Sequence, residues 1–273
     1  MIASAFDPEN MKNILIFSDE HRVNGSELVR GLQEHLPEVV IITGGLAGDG
    51  SRFEKPLVGM NEIPIEGRVA AIAFYGDSLS VTFGSAGGWD SFGPERLITR
   101  SKKNILFELD GKPALDIYKL YLGEYAGELP GSGLLFPLCI RSAGSEKLIV
   151  RTILGIDEEE KSLIFAGDMP ENAYARLMKA NFDRLIEGAS VAAQNSIEED
   201  LHKPELAILI SCVGRKLLLG QRIEEEVEII RALYGSGTCL SGFYSYGEIS
   251  PTSDFGSCEL HNQTMTITTF SEK

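Results

Sequence analysis

The residues best suited to chemistry in the second half of the chain follow a short apolar run. Cys212 and Arg215 come directly after the run at 206–211. An arginine binds a carboxylate through two parallel hydrogen bonds, and a thiol becomes nucleophilic when a nearby cation or imidazole lowers its pKa. Arg215 is therefore a candidate for holding an acidic group of a ligand, and Cys212 for binding or catalysis. A buried structural thiol and a surface-paired arginine are the alternatives.

A second group brings acid, amide, imidazole and phenol side chains close together in sequence. Its members are Tyr244, Tyr246, Glu248, His261 and Asn262. Together they fit the recognition of a small polar molecule, although each one also fits a structural role in a turn or a strand. Cys212, with His261 as the base and Glu248 as the group that orients it, would instead form a thiol-dependent hydrolase or transferase site. The group therefore supports two hypotheses, a binding site and an enzyme.

The third candidate is a glycine-rich segment at residues 44–50 in the first half of the chain. Gly45 and Gly48 would let backbone N–H groups approach a ligand closely, and Asp49 favours a cationic or zwitterionic ligand. The spacing matches neither GxGxxG nor GxxxxGKS/T, so no nucleotide phosphate is predicted here, and a plain turn is the alternative. Trp89, the only tryptophan, lies in another glycine-rich loop and is a further candidate.

The segments around the glycines predict a strand–helix–strand unit. Residues 13–18 and 39–43 are apolar runs typical of buried strands. Between them, Ser26 is placed to cap a helix that carries apolar residues on one face. The glycine-rich segment would then lie at the carboxyl end of a strand, where α/β proteins commonly bind ligands.

The same order returns near the end of the chain. Residues 206–211 and 238–241 predict strands, and Ile223, Val227 and Ile230 form one face of a helix between them. This second unit also runs into a glycine-bearing bend with an acid, at 242–248. The sequence therefore predicts an internal duplication.

Other segments complete the prediction of elements. Residues 69–75 and 79–83 predict a hairpin joined at Gly76-Asp77, and 261–270 alternate like a strand. A helix is expected from about Glu171, with one core face made of Tyr174, Met178, Phe182, Leu185 and Ala189. The acidic runs at 157–160 and 224–226 predict solvated faces.

Composition and charge limit the class of protein. With 273 residues, 43% of them hydrophobic, and a net charge of −15, the chain suits a globular protein that repels phosphate backbones and anionic membranes. Its scattered cysteines have no zinc-ligand spacing, so neither a metal nor a cofactor is predicted. Because the start lacks a secretory signal and no apolar run could span a bilayer, we expect a cytoplasmic protein without nucleic-acid or membrane partners.

The motifs resemble those of FIST-domain proteins over nearly the whole chain, in both the FIST N-type and the FIST C-type regions. The residues that carry the resemblance are Gly44–Asp49, Gly88-Trp89, Gly93-Pro94, Glu108–Ala114, Tyr118, Arg151, Gly155–Asp157, Cys212–Arg215, Leu219-Gly220, Glu225-Glu226, Gly242–Glu248 and His261–Thr264. The resemblance divides the chain into an N-type lobe at 1–123 and a C-type lobe at 133–273. It departs from the family pattern at its start, where a strand–helix unit is missing, so the N-type lobe is expected to be incomplete.

We expect a mixed α+β fold with two related lobes, in which mixed sheets are flanked by helices. The resemblance implies an intracellular sensory domain for small ligands such as amino acids or related metabolites, with a signalling protein or a second copy of the chain as partner. The leading hypothesis places the ligand in a cleft between the lobes, with Arg215 on its carboxylate and Asp49 or Glu248 on its ammonium group. A protein-interaction adaptor and the thiol-dependent enzyme are the alternatives, and binding is favoured over catalysis.

Overall fold

The computed structural model describes residues 2–144, 148–197, 203–252 and 257–272. Its α-helices are α1 (Gly25–Gln33), α2 (Ala114–Leu122), α3 (Phe182–Asn195), α4 (Val213–Leu219) and α5 (Ile223–Tyr234). The strands before α2 are β1 (Met11–Asp19), β2 (Ile41–Ala47), β3 (Val69–Tyr75), β4 (Leu79–Ala86), β5 (Asp90–Lys102), β6 (Ile105–Leu109) and β7 (Lys112–Pro113). The later strands are β8 (Leu138–Arg141), β9 (Leu148–Arg151), β10 (Ile153–Asp157), β11 (Ser162–Phe165), β12 (Tyr174–Lys179), β13 (Leu206–Cys212), β14 (Cys239–Ser245), β15 (Gly247–Pro251), β16 (Cys258–His261) and β17 (Met265–Glu272). The predicted mixed α+β class is confirmed.

The chain divides into two compact units, and each combines segments that are distant in sequence. Unit 1 consists of Met1–Gly88, Leu185–Leu260 and Thr264–Lys273, and unit 2 of Trp89–Arg184 and His261–Gln263. The glycine-bearing bends of both repeats therefore belong to unit 1. The lobes at 1–123 and 133–273 are contiguous intervals and stay a prediction.

The first sheet of unit 1 has the strand order β16-β15-β2-β1-β3. β1 runs parallel to β2, as the predicted strand–helix–strand unit requires. α1 covers one face of this sheet, because Val29 and Leu32 belong to the same buried cluster as apolar residues of its strands. The N-cap of α1 is Asn24, whose side chain accepts a hydrogen bond from the Glu27 N–H, and not the predicted Ser26.

The second sheet of unit 1 has the order β14-β13-β17-β4 and repeats this arrangement. β13 runs parallel to β14 and antiparallel to β17, just as β1 runs parallel to β2 and antiparallel to β3. Helices α3 and α5 cover this sheet, with Ala189 and Ala192 of α3 and Ile230 and Tyr234 of α5 in one buried cluster. The internal duplication predicted from the sequence is therefore present in the fold.

Each half of the chain contributes a strand to the sheet of the other half. β4, from the first half, pairs with β17, while β15, from the second half, pairs with β2. The predicted hairpin of 69–75 and 79–83 is therefore wrong, because β3 pairs with β1 and β4 lies in the other sheet. Gly76 does adopt an unusual φ of 129°, but there it leads the chain from one sheet to the next.

The two sheets of unit 1 pack face to face. The ring centroids of Phe17 and Phe243 lie 5.7 Å apart across this interface. A Cβ atom added at Gly45 would lie 2.8 Å from Cγ2 of Ile210, so a side chain at this position would push the sheets apart. Unit 1 is thus a sandwich of two sheets, with α1 on one side and α3 and α5 on the other.

Most of each glycine-bearing segment is extended strand. β2 continues through Gly44, and β14 includes Gly242, so the turns predicted at these glycines are wrong. A Cβ atom at Gly44 would collide with the carbonyl oxygen of Ile16, and one at Gly242 with that of Leu209. Glycine is needed at both positions because each pair of parallel strands approaches too closely for a side chain.

Unit 2 contains a sheet whose described strands have the order β10-β11-β6-β5-β12-β8-β9, with β7 beside β6. α2 packs against it, with Leu115 and Tyr118 in the same buried cluster as Ile98 and Phe165. The segment between the predicted lobes forms 3-10 turns at Gly123–Glu128 and Gly131–Leu135.

The helix predicted from about Glu171 is wrong in its first part. Residues Tyr174–Lys179 form β12, and α3 begins only at Phe182. Ala175 and Leu177 are buried, which is the period of two expected of a strand. β12 lies between β5 and β8 and pairs with both, and this pairing holds the segment in an extended conformation.

Candidate functional site

The ends of the two glycine-bearing segments, 44–50 and 242–248, meet in unit 1 through Tyr246. Its hydroxyl accepts hydrogen bonds from the backbone N–H groups of Asp49 and Phe53, each at 3.1 Å, and donates to the Asp49 carboxylate. A Cβ atom at Gly48 would lie 3.0 Å from the Tyr246 ring, so glycine leaves room for the aromatic side chain. The structure therefore brings together Gly48, Asp49 and Tyr246, whereas Gly45 lies between the sheets.

The carboxylate of Asp49 is occupied by hydrogen bonds within the bend. Its Oδ2 accepts from the backbone N–H groups of Glu54 and Lys55, at 3.2 and 2.9 Å. The hydrogen bond from Tyr246, followed by the backbone hydrogen bonds, holds the pKa of Asp49 well below its ordinary value. Burial and the contact with Asp49 raise the pKa of Tyr246 to about 12. An ammonium group of a ligand would have to share oxygens that already have partners.

Two aromatic side chains outside the predicted set lie against Tyr246. The Phe53 ring stacks on it with centroids 4.7 Å apart, and the His21 ring lies 6.3 Å away at an interplanar angle of 15°. Neither residue belongs to a motif or to a periodic segment, so no sequence signal marks them.

Arg215 is completely buried, and groups of unit 1 surround its guanidinium. Its Nε and Nη2 each lie 2.8 Å from Oε2 of Glu226. Nη1 donates to the carbonyl of Gly87 and Nη2 to that of Leu185, both at 2.5 Å. Removing one member of a buried ion pair typically costs about 3–5 kcal/mol, because the other charge is left uncompensated. These contacts give Arg215 a structural role that ties α4 to α5.

Glu226 is buried, so the prediction of a solvated face at 224–226 is wrong at this residue. Its side chain is 0% exposed, and Ser211 Oγ also donates to it at 3.2 Å. The buried positions of α5 are Glu226, Ile230 and Tyr234. Val227, which the predicted helix face includes, is 42% exposed. Glu226 lies four residues before Ile230, on the same face of α5. This helical spacing is the sequence signal that could have identified Glu226 as buried.

Tyr244 belongs to the same part of unit 1. Burial, together with the charge of Glu226, raises the pKa of the Tyr244 hydroxyl. The Lys216 ammonium group lies 5.0 Å from the centroid of its ring, a cation–π contact. Tyr244 and Arg215 are therefore close to one another, and Glu226 interacts with both.

Glu248 and Cys212 are connected through Thr264. Oε2 of Glu248 accepts hydrogen bonds from the N–H and the hydroxyl of Thr264, at 3.2 and 2.8 Å. The Cys212 N–H donates to the carbonyl of Thr264 at 3.0 Å. Burial raises the pKa of Glu248 to about 7. Cys212 is 3% exposed and Glu248 is 0% exposed, so both side chains lie within the packed interior of unit 1.

Unit 2 contains two consecutive buried carboxamides without hydrogen-bond partners. Asn262 and Gln263 are both 0% exposed, and among the described residues no group pairs with the nitrogen or oxygen of either side chain. His261, beside them, is 5% exposed, and Trp89 Nε1 donates to the Gln263 carbonyl at 2.8 Å. Buried polar groups are nearly always paired, because an unpaired one costs about 1–3 kcal/mol. Other buried side chains in the described ranges also have an unpaired atom, but these are the two carboxamides that lack partners on both their nitrogen and their oxygen.

Gln263 is absent from the predicted site, although it lies in the same predicted strand, 261–270, as His261 and Asn262. β16 ends at His261 and β17 begins at Met265, so that prediction is wrong. Gln263, in the loop between them, has a φ of 60°. The signal was the run His-Asn-Gln-Thr, since four consecutive polar residues interrupt the alternation of a half-buried strand.

Metal ligands are not grouped in the ranges that the structure describes: no three or more His, Cys, Asp or Glu side chains are arranged to hold an ion. In those same ranges, none of the helices has the length and apolar character needed to cross a membrane.

The fold is that of a mixed α/β protein in which a repeated strand–helix–strand unit builds two stacked sheets. Family models match most of the chain, the FIST N domain over residues 2–112 and the FIST C domain over 114–251. The chain therefore belongs to the FIST-domain family, as its motifs predict. FIST domains are generally associated with sensory signal transduction and with ligand binding.

An uncharacterised protein of Methanocaldococcus jannaschii is similar to this chain, with 25% identity over 237 residues. The match covers 76% of this chain and 44% of that protein, so the chain matches less than half of its relative's length.

Proposed function

We propose that this protein is a sensory domain that binds a small polar metabolite, an amino acid or a related compound, at Asn262 and Gln263. The association of FIST domains with sensing and ligand binding supports the general role. One observation carries the assignment to this loop: two fully buried carboxamides whose polar atoms have no partner among the described residues.

The loop is suited to binding because its backbone is already held in place. Trp89 donates to the Gln263 carbonyl, so this contact fixes the main chain while leaving the side-chain amide unpaired. A ligand that pairs with the amides would remove a cost already present in the unliganded protein. It would also lose little affinity to the ordering of the loop, since a preorganised site lowers the cost of binding.

The other positions considered for ligand contacts receive less support. The Arg215 guanidinium contacts Glu226 and backbone carbonyls, and the Asp49 carboxylate is occupied within its own bend. The proposal therefore transfers the principal polar contacts of the ligand from Arg215 and Asp49 to the two carboxamides.

Thermal denaturation of the full chain with each common amino acid and with related metabolites tests the function. A compound that binds should stabilise the protein by about 2.7 kcal/mol at a hundredfold excess over its Kd, because it binds only the folded state. If no compound in such a set shifts the transition, the proposal is contradicted.

Two apolar variants of similar shape test the location. In Asn262→Leu and Gln263→Met the unpaired amides disappear, so the unliganded protein should gain about 1–3 kcal/mol of stability while losing the stabilisation by ligand. Gln221→Met, at an exposed amide, is the control and should change neither quantity. A ligand that stabilises both loop variants as strongly as the wild type must bind elsewhere.

A further inference from the structure

The chemistry of the Asn262–Gln263 loop narrows the class of ligand. Each carboxamide presents N–H donors on its nitrogen and an acceptor on its oxygen, and it carries no charge. All of these atoms, Nδ2 and Oδ1 of Asn262 and Nε2 and Oε1 of Gln263, lack partners among the described residues. A matching ligand group must therefore offer both an acceptor and a donor to each amide that it meets.

Charged groups meet only half of this requirement. A carboxylate accepts from the N–H groups but has no hydrogen to donate to the carbonyl oxygens. An ammonium group donates to the oxygens and leaves the N–H groups unpaired. Both also lose their hydration on burial, which is costly where the protein partners are neutral.

A planar neutral group satisfies a carboxamide completely. A primary carboxamide or a urea presents a donor and an acceptor side by side on one edge. It can therefore form two hydrogen bonds with a single Asn or Gln side chain, in the same way that these side chains pair with a base edge. No charge has to be buried in that arrangement.

We propose that the loop recognises a neutral carboxamide or ureido group, carried by a ligand of about the size of an amino acid. The inference rests on the proposed function and specifies its substrate class. The acid of the same shape is rejected, because an oxygen in place of the amide nitrogen leaves a buried acceptor of the protein unpaired.

Isothermal titration of the full chain with matched pairs of compounds tests this inference. L-Glutamine and L-glutamate have the same shape and differ only in the side-chain amide, as do L-asparagine and L-aspartate. L-Citrulline supplies a ureido group, and L-alanine supplies the amino-acid head group alone. We expect at least one amide or ureido compound to bind roughly tenfold or more tightly than its acid counterpart and than alanine.

The outcomes separate this inference from the function on which it rests. If glutamate or alanine binds as tightly as glutamine, the charged head group is the recognised feature, and the inference is overturned while the proposed function survives. If none of these compounds binds but another metabolite stabilises the protein, the inference again fails alone. If no metabolite binds at all, both fail.

Variants of the two loop residues test whether their side-chain amides cause the tighter binding of the amide or ureido compound. Asn262→Leu and Gln263→Met should each reduce the preference for the amide compound, whereas Gln221→Met should retain it. Circular dichroism and thermal unfolding establish that each variant is folded, and either variant alone is sufficient if the other does not fold. An unchanged preference in a folded loop variant overturns the inference.

Discussion

Ser245 Oγ lies between two acceptors in unit 1, the Ser211 carbonyl at 3.3 Å and Oε1 of Glu248 at 2.6 Å. A serine hydroxyl has one hydrogen, so it can donate to only one of them. If Glu248 is protonated, it donates to Ser245, which then donates to Ser211, while Thr264 continues to donate to the other carboxyl oxygen. Burial raises the pKa of Glu248 to about 7, even though the hydrogen bonds from Ser245 and Thr264 lower it, so burial is what favours the protonated acid.

This predicts a specific dependence of stability on pH. The pKa of Glu248 is about 7 in the folded protein and near the ordinary 4.5 when unfolded. The stabilisation is therefore complete below the unfolded pKa and is lost as the pH rises through the folded pKa, by on the order of 3 kcal/mol. Glu248→Gln keeps a donor for Ser245 and an acceptor for Thr264 but cannot ionise, so it should lose this contribution to the pH dependence.

Denaturant unfolding at about pH 5 and about pH 8 measures the effect. Because every other titrating group is common to the two proteins, the difference between wild type and Glu248→Gln isolates this residue. Glu224→Gln, at an exposed position of α5, is the control and should behave as the wild type. Equal pH dependence in the wild type and Glu248→Gln would show that Glu248 does not carry the effect.

Sequence reasoning located several site residues but not their partners. It correctly placed Cys212 at the end of a buried strand, because an apolar run and its end are local features, but it did not predict α4, the helix that carries Arg215. It did not connect Arg215 with Glu226, since that contact depends on how α4 and α5 pack. The missing partners of Asn262 depend on all the groups that surround it, which no local pattern encodes.

At the scale of elements, glycines in equivalent positions of the two repeats leave no room for a side chain between neighbouring parallel strands. Gly44 of β2 lies opposite Ile16 of β1, and Gly242 of β14 lies opposite Leu209 of β13. Both copies of the repeated unit therefore have a glycine at the point where their parallel strands leave no room for a side chain. A side chain at either position would separate the parallel strands at their centre.

We expect Gly44→Ala and Gly242→Ala each to lower the free energy of unfolding by at least roughly 2 kcal/mol, because the new methyl group collides with a carbonyl that cannot move independently. Gly31→Ala is the matched control. It lies within α1 with no atom within 4 Å of the new Cβ, and should raise stability by about 0.5–1 kcal/mol. Urea unfolding measures all three, and small losses in the strand variants would contradict the argument.

Helices and strands could be predicted where their hydrophobic periodicity and their order along the chain are visible within a short segment of sequence. The strand–helix–strand repeats fall within this group, since each has an apolar run, an amphipathic helix and a second apolar run. The segment at 174–182 was not predictable, because it fits both a helical and a strand period until β5 and β8 pair with it. Likewise β3 and β4 exist about where predicted, but their partners come from distant parts of the chain.

At the scale of the whole molecule, neither half of the chain completes its own sheet. β4 has β17 as its pairing partner, and β2 has β15 on the side away from β1. A fragment of residues 1–123 lacks β15 and β17, and a fragment of 133–273 lacks β2 and β4. Each would expose strand edges and the inner face of a sheet.

We therefore expect neither 1–123 nor 133–273 to show a cooperative thermal transition when produced alone, whereas co-expression should restore one. Far-ultraviolet circular dichroism of each fragment, of the co-purified pair and of the intact chain measures this. Because the co-purified pair contains the same residues as the two separate fragments, a difference between them reports the association of the fragments. Cooperative unfolding of either fragment alone would contradict the importance of the exchanged strands.

The exchange of strands also sets an order of events on the ribosome. β2 and β4 are synthesised early, but β15 and β17, which pair with them, are among the later segments to emerge. Until β15 and β17 have been synthesised, these early strands have open edges, which readily pair with other chains. The growing polypeptide therefore carries these unpaired edges until β15 and β17 have been made, an exposure set by the connectivity of its sheets and independent of how stable the folded protein is.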